Sequence, residues 1–194
     1  NDYSLVGGWS AEATMAVTPE IAGITYPVNG ELPIRFNAVE MGGIMVNAPA
    51  VTNLTAYQYL FVDVMIAYGD AEFFIYAYGA PIITVKGGNT WTRVVYVNDG
   101  KGNFVLPGAT GNLNAADGHD GKHVAFTDPA NNESFYMMVK APDNWAYFGQ
   151  FTACQELPEL PAGFETNYTG EEEPEDESTK VIAKLTSDAA INAY

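Results

Sequence analysis

The sequence predicts an all-β protein: an antiparallel β-sandwich of jelly-roll type with a flexible acidic C-terminal extension. Three observations carry this. Short runs rich in Val, Ile, Thr, Tyr and Phe recur along the chain, several alternating with period 2. The 19 glycines and 11 prolines punctuate the gaps between them. Helical patterns of ten or more residues, which a parallel doubly wound sheet needs between strands, are missing.

Taken in order, less regular runs at Thr14–Val17, Leu32–Asn37 and Gly43–Asn47 read as strands, and Ala50–Ala56 reads as one short helix. Tyr57–Tyr68 is the strongest segment. Leu60, Val62, Val64 and Ile66 share one of its faces, and Tyr59, Phe61, Asp63 and Met65 the other. Gly69-Asp70 then reads as a turn into Ala71–Tyr78, so residues 57–78 are expected to form a hairpin. Trp91–Val97 follows, ended by the turn Asn98-Asp99-Gly100, and weaker runs lie at Gly102–Leu106 and His123–Phe126. Ser134–Lys140 and Trp145–Ala153 are expected to pair across Ala141–Asn144. The chain therefore divides into a sandwich domain over 1–169, an acidic linker over 170–179 and a segment over 180–194. That last segment reads as a returning strand, an inter-subunit strand or the start of a following module. The linker, GEEEPEDEST, carries six acids and one proline, which keeps it solvated.

Of 194 residues, 47% are apolar and 13% aromatic, enough to build a core. With 24 acids against 8 bases, the formal charge is −16. Nucleic acid is excluded as an expected partner, because phosphate binding needs clustered Lys and Arg. An anionic membrane surface is disfavoured for the same reason. The longest uncharged apolar stretch, Phe73–Val85, is shorter than the ~20 residues of a spanning helix. The chain opens on Asn1 without a leader pattern, which fits a mature or excised chain.

Catalytic equipment is sparse. Cys154 is the sole cysteine and reads as a small buried apolar residue. The sequence carries no Gly-x-Ser-x-Gly elbow, and Gly42-Gly43 and Gly87-Gly88 lack the rest of a phosphate loop. Asp63 and Glu72 face one another across the expected hairpin. Pairing of Asp63 with Arg93 or with tyrosine hydroxyls is nonetheless favoured over a general-acid role. The stretch from Asp117 to His123 packs two His and two Asp into seven residues. Zinc would use His119 and His123, whereas a structural calcium would use Asn114, Asp117 and Asp120 with loop carbonyls. Asn98, Asp99 and Asn103 offer a similar cluster that reads better as a turn.

The aromatics say more. There are 12 Tyr, 10 Phe and 3 Trp, many on strands beside polar residues. The apolar face of a pyranose stacks on a ring, and neighbouring Gln, Asp and Arg bind its hydroxyls. Trp91, Tyr76, Tyr78, Trp145 and Tyr147 are the expected platforms. Arg93, Asp63 and Gln58 are the expected hydroxyl partners.

Three segments add a family likeness. Gly42–Val46 followed by Leu54–Val64, then Asn89–Val97, then Trp145–Phe151, resemble strands of jelly-roll carbohydrate-binding modules from secreted or cell-surface bacterial glycan-degrading systems, over residues 30–155. The resemblance implies a non-catalytic sandwich, often with a structural calcium, that binds polysaccharide on a concave face or at loop tips. The leading expectation is thus an extracellular or cell-surface polysaccharide-binding protein that is not an enzyme. A rival is a structural surface or filament subunit, a homo-oligomer joined by strand addition through Val181–Leu185 or the arm Asn1–Ser10. A third is a metal-assisted enzyme using His119, His123 and Asp120.

Overall fold

A computed structural model of the chain describes residues 3–7, 15–17, 33–38, 41–47, 54–77, 79–113, 123–124, 134–141 and 144–170. The strands are β1 (Tyr3–Gly7), β2 (Met15–Val17), β3 (Ile34–Ala38), β4 (Gly42–Asn47), β5 (Tyr59–Ile66), β6 (Ala71–Tyr76), β7 (Pro81–Val85), β8 (Trp91–Asn98), β9 (Phe104–Val105), β10 (Gly111–Asn112), β11 (His123–Val124), β12 (Ser134–Lys140), β13 (Asn144–Cys154) and β14 (Glu165–Thr166). Among the described residues they form two sheets. One has six strands in the order β1-β4-β12-β6-β7-β10, and the other has eight, β11-β9-β8-β5-β13-β3-β2 with β14 beside β8. Pairing is antiparallel throughout except for β14 on β8. The chain changes sheet at most connections, as a jelly-roll sandwich does.

The core lies between the sheets. Leu60, Val62, Val64 and Ile66 of β5 join Phe73 and Ile75 of β6 and Phe135, Met137 and Val139 of β12. Phe73 meets Phe148 edge-on at 5.8 Å, and Phe135 meets Phe151 at 5.3 Å, each pair bridging the two sheets. Burying a side chain of this size stabilises by roughly 1.5–3 kcal/mol. A register shift in β13 between Phe148 and Phe151 resets the alternation, so both rings serve the core. The outward residues Phe61, Asp63 and Met65 of β5 are buried as well. Both faces of this central strand are therefore covered.

The cover on the outer side comes from residues 155–170. After β13 this strap runs back to place β14 parallel to β8 at Thr92 and Arg93. Asn167 continues the pairing with its side chain. Its Oδ1 accepts the Val95 N–H at 2.8 Å, and its Nδ2 donates to the carbonyls of Val95 at 3.0 Å and Pro107 at 2.8 Å. Phe164 stacks on Trp91 at 6.1 Å and 14°, and Tyr168 lies 5.7 Å from Tyr59. The unpaired edge of β8 is thereby closed to a foreign strand.

Several expectations are corrected here. Residues 57–78 do not form a hairpin: β5 lies in the eight-stranded sheet and β6 in the six-stranded one. A strand buried on both faces takes partners on both edges, here β8 and β13, and the Gly69-Asp70 turn carries the chain across the sandwich. Asp63 and Glu72 accordingly belong to different sheets. Ser134–Lys140 and the strand after it part in the same way, β12 to one sheet and β13 to the other. Within the N-terminal arm expected to seek a partner, Tyr3–Gly7 pairs with β4 of its own chain. The short helix shrinks to a 3-10 turn at Leu54–Ala56, with residues 50–53 outside the described residues. The linker and the terminal segment after Gly170, including Val181–Leu185, also lie outside them.

Tyr96 is wholly buried and points into the core. Burial raises its phenol well above the ordinary 10.0, with the Ile75 backbone on the facing sheet offsetting part of the rise. The folded chain thus holds a proton that the unfolded chain loses once pH passes about 10. Stability falls with pH in that range and is unaffected below it. Urea midpoints at pH 8 and pH 11 test this. Tyr96→Phe is expected to lose less stability than the wild type between the two pH values, and equal losses would remove Tyr96 as the cause.

Candidate functional site

A row of four side chains crosses the outer face of the eight-stranded sheet. Strand register sets Arg35 of β3 beside Tyr147 of β13, Tyr147 beside Met65 of β5, and Met65 beside Trp91 of β8. Met65, Trp91 and Tyr147 pack as one buried cluster with Ala67, flanked by the half-buried Trp145 and Phe164. Phe164 closes the Trp91 end. At the other end the row opens. The Arg35 guanidinium stands 4.4 Å over the Trp145 ring. Burial pushes the Tyr147 phenol up, and the charge of Arg35 and its hydrogen bond to that phenol hold the rise back. Among the described residues, the buried Arg35 Nε has no hydrogen-bond partner.

Tyr68 lies just beyond β5, beside the start of β13, and is 70% exposed. Its backbone is nonetheless fixed. The Tyr68 N–H donates to Asn144 Oδ1 at 3.1 Å, and Asn144 Nδ2 donates back to the Tyr68 carbonyl. Asn144 itself is buried. The turn that follows is held by Gly87, whose N–H donates to Asp70 at 3.2 Å. A Cβ at Gly87 would stand 1.9 Å from the Gly69 carbonyl oxygen, so only glycine permits this approach. The result is an exposed tyrosine on a braced backbone at the Trp145 end of β13, near enough to Tyr147 to act on its phenol, on a face that also carries Trp145 and Arg35. Such a set can stack on an apolar ring face and donate to hydroxyl groups.

The middle of the same face is sealed. Arg93 donates from Nε and Nη2 to the two oxygens of Asp63 at 2.8 and 3.0 Å, a bidentate pair with both side chains buried. The guanidinium lies 4.2 Å over the Phe61 ring and 5.9 Å from the ring of Phe164 on the strap. Asp63, Arg93 and Trp91, expected as contacts for a ligand, are thus interior groups engaged beneath the strap. Cys154 is half-buried, and burial pushes its thiol up against the opposing pull of Arg93, which leaves it a poor nucleophile.

The remaining expected residues lie elsewhere. Tyr76 is on the outer face of the six-stranded sheet, directly opposite Tyr136, with ring centroids 6.2 Å apart. Both are half-buried around Phe74, Ala80 and Met138. Gln58 is exposed just before β5, at the end of the strand away from Tyr68. Tyr78, the calcium candidates Asn114, Asp117 and Asp120, and His119 lie outside the described residues. Asp99 is a turn residue. Burial would raise its pKa, but hydrogen bonds from the Lys101 N–H and from Asn103, together with the charge of His123 at 3.8 Å, hold it below its usual value. Arg35 and Tyr68 are the two members of the open patch that strand patterns did not single out.

No protein-family model and no curated protein matches the sequence. Among solved structures, the chain is similar to the family 11 carbohydrate-binding module of the cellulosomal cellulase Lic26A-Cel5E of Clostridium thermocellum. The identity is 10% and the TM-score 0.49, over 82% of this chain and 91% of that one. It is also similar to a family 11 module from Clostridium thermocellum in complex with a β-1,3-1,4-mixed-linked tetrasaccharide, at 9% identity and a TM-score of 0.47, over 81% and 91% of the two chains. Both of those proteins are carbohydrate-binding modules.

The buried ion pair makes a quantitative prediction. Asp63→Ala leaves the Arg93 charge without its partner under the strap and is expected to cost about 3–5 kcal/mol. The double change Asp63→Leu with Arg93→Met removes both charges and is expected to cost less than the single one. Urea unfolding of the three proteins checks the order, and a double variant weaker than the single would show that the pair is not what the strap covers.

Proposed function

We propose that this chain binds a glycan without altering it, on the outer face of the eight-stranded sheet around Arg35, Tyr68 and Trp145, with the buried Tyr147 beneath them. One observation carries this reading: the Tyr68 ring is left in water while its backbone is clamped by Asn144. A large ring that the core does not use, held in place before any ligand arrives, binds with little ordering cost. Trp145 supplies a second ring face. Arg35 supplies donors already aimed by its stacking on that indole. Trp91 packs with Met65 and Tyr147 below this patch, a supporting role in place of direct contact, while Arg93 and Asp63 stay under the strap. Tyr76 with Tyr136 is a second ring surface on the opposite side of the sandwich. The setting that fits this reading is outside the cell or at its surface, where polysaccharide is met.

Affinity electrophoresis and calorimetry on starch, mixed-linked and other β-glucans, xylan and mannan test it. Retardation is expected on at least one. Tyr68→Ala and Trp145→Ala are each expected to weaken binding about tenfold or more, which corresponds to ~1.4 kcal/mol. Tyr68→Ala, at an exposed side chain, is expected to leave unfolding within about 0.5 kcal/mol of the wild type. No retardation on any polysaccharide, or wild-type affinity in both variants, would overturn the proposal.

A further inference from the structure

The end of the eight-stranded sheet opposite the ring patch holds a cleft of about 370 Å³, lined by Tyr57, Gln58, Asn98, Gly100, Gly102 and Gln155 among others. That volume lies within the roughly 300–1,000 Å³ of small-molecule sites. From its residues we infer that the cleft is a second binding site for a neutral sugar unit, independent of the ring patch though resting on the same glycan reading.

The walls are built in advance. Asn98 donates from Nδ2 to the Tyr57 carbonyl at 2.8 Å and accepts the Gly100 N–H on Oδ1 at 2.8 Å, tying one wall to the other. The Asn98 N–H also donates to the Gln58 carbonyl at 2.8 Å. Gln155 donates from Nε2 to the Ala56 carbonyl at 2.7 Å, which fixes its amide while the residue stays exposed. Gln58 donates to the Asn98 carbonyl at 3.5 Å, a long bond that a ligand hydroxyl can replace at small cost. Tyr57, one of the lining residues, is 38% exposed and brings a phenol to this part of the surface. Gly100 and Gly102, at φ 72° and 94°, have nothing within 4 Å of where a side chain would stand, so the loop leaves room for an incoming group.

The chemistry of the lining selects the ligand class. The side chains named are amides and a phenol, and none of them is charged. The nearby carboxylate of Asp99 is committed to its own loop, accepting from the Lys101 N–H at 2.7 Å, the Asn103 N–H at 3.1 Å and Asn103 Nδ2 at 3.1 Å. A cleft that offers amide donors and acceptors beside a ring suits a polyhydroxylated neutral molecule. It offers no charged side chain to an anion or a cation. Tyr59 and Ile66 bound β5, so the two sites are separated by about 23 Å at ~3.3 Å per residue. A disaccharide can occupy either site but cannot touch both. A long chain able to engage both would gain avidity.

Amide-resolved NMR titration of the whole chain with soluble malto-, xylo-, manno- and mixed-linked gluco-oligosaccharides tests the inference. With one of them, the amides of Tyr57, Gln58, Asn98, Gly100 and Gly102 are expected to shift with a Kd different from that of Tyr68 and Trp145. The double variant Tyr57→Ala, Gln58→Ala is expected to weaken the cleft at least tenfold and leave the patch Kd unchanged. Shifts at the patch without shifts at the cleft overturn the second site alone. Shifts at the cleft alone uphold it and overturn the ring patch. Shifts at neither overturn both.

Discussion

The bidentate contact between Arg93 and Asp63 is the constraint around which the outer face of the eight-stranded sheet is arranged. Two full charges lie on adjacent strands, facing away from the core, yet both are buried. Charges so placed are tolerable only where they pair closely and water is displaced by something that packs. Phe61 supplies a ring beneath the guanidinium and Phe164 a ring from the strap. The strap in turn needs an anchor, and Asn167 provides it by imitating a strand residue along β8. Ion pair, strap and closed edge are thus one device. Loosening any part exposes the other two.

That device also explains where ligand groups can stand. The strap spends the middle of the face on stability, so rings there are interior. Among the described residues, the aromatic side chains most open to water lie beyond its ends: Tyr68 at one and Tyr57 at the other. In both places a buried or partly buried amide holds the backbone behind the exposed ring, Asn144 behind Tyr68 and Asn98 behind Tyr57. An exposed ring on a loose loop would lose much of its binding energy to ordering. Bracing by a side-chain amide avoids that loss without adding a strand.

Much of the fold is legible in the sequence because burial imposes period 2. Leu60, Val62, Val64 and Ile66 alternate onto one face, and that is the core face; Ser134–Lys140 has the bounds that its pattern indicates. What period 2 cannot report is which sheet a strand joins. Gly69-Asp70 turns the chain equally well within a sheet or across the sandwich, and the choice falls to β5, whose two buried faces need neighbours on both edges. The strap is invisible for a different reason. Its pairing comes from two strand residues and one asparagine side chain, so no alternation marks it.

The open patch was half legible on the same grounds. Trp145 and Tyr147 declare themselves by alternating with Ala146 and Phe148, and both do face outward, although Tyr147 retains only 3% of its surface. Arg35 sits in a short strand of irregular pattern, and its value comes from register: β3 lies against β13 so that Arg35 meets Tyr147 and covers Trp145. Tyr68 looks like the last residue of a strand. Its role depends on Asn144, 76 positions away in the chain, reaching its backbone from the start of β13. A strand pattern records what a residue does to its own segment, whereas a binding patch is assembled from what distant segments do to one another. The asparagines that brace Tyr57 and Tyr68 are therefore the side chains through which this fold converts sheet packing into a fixed surface.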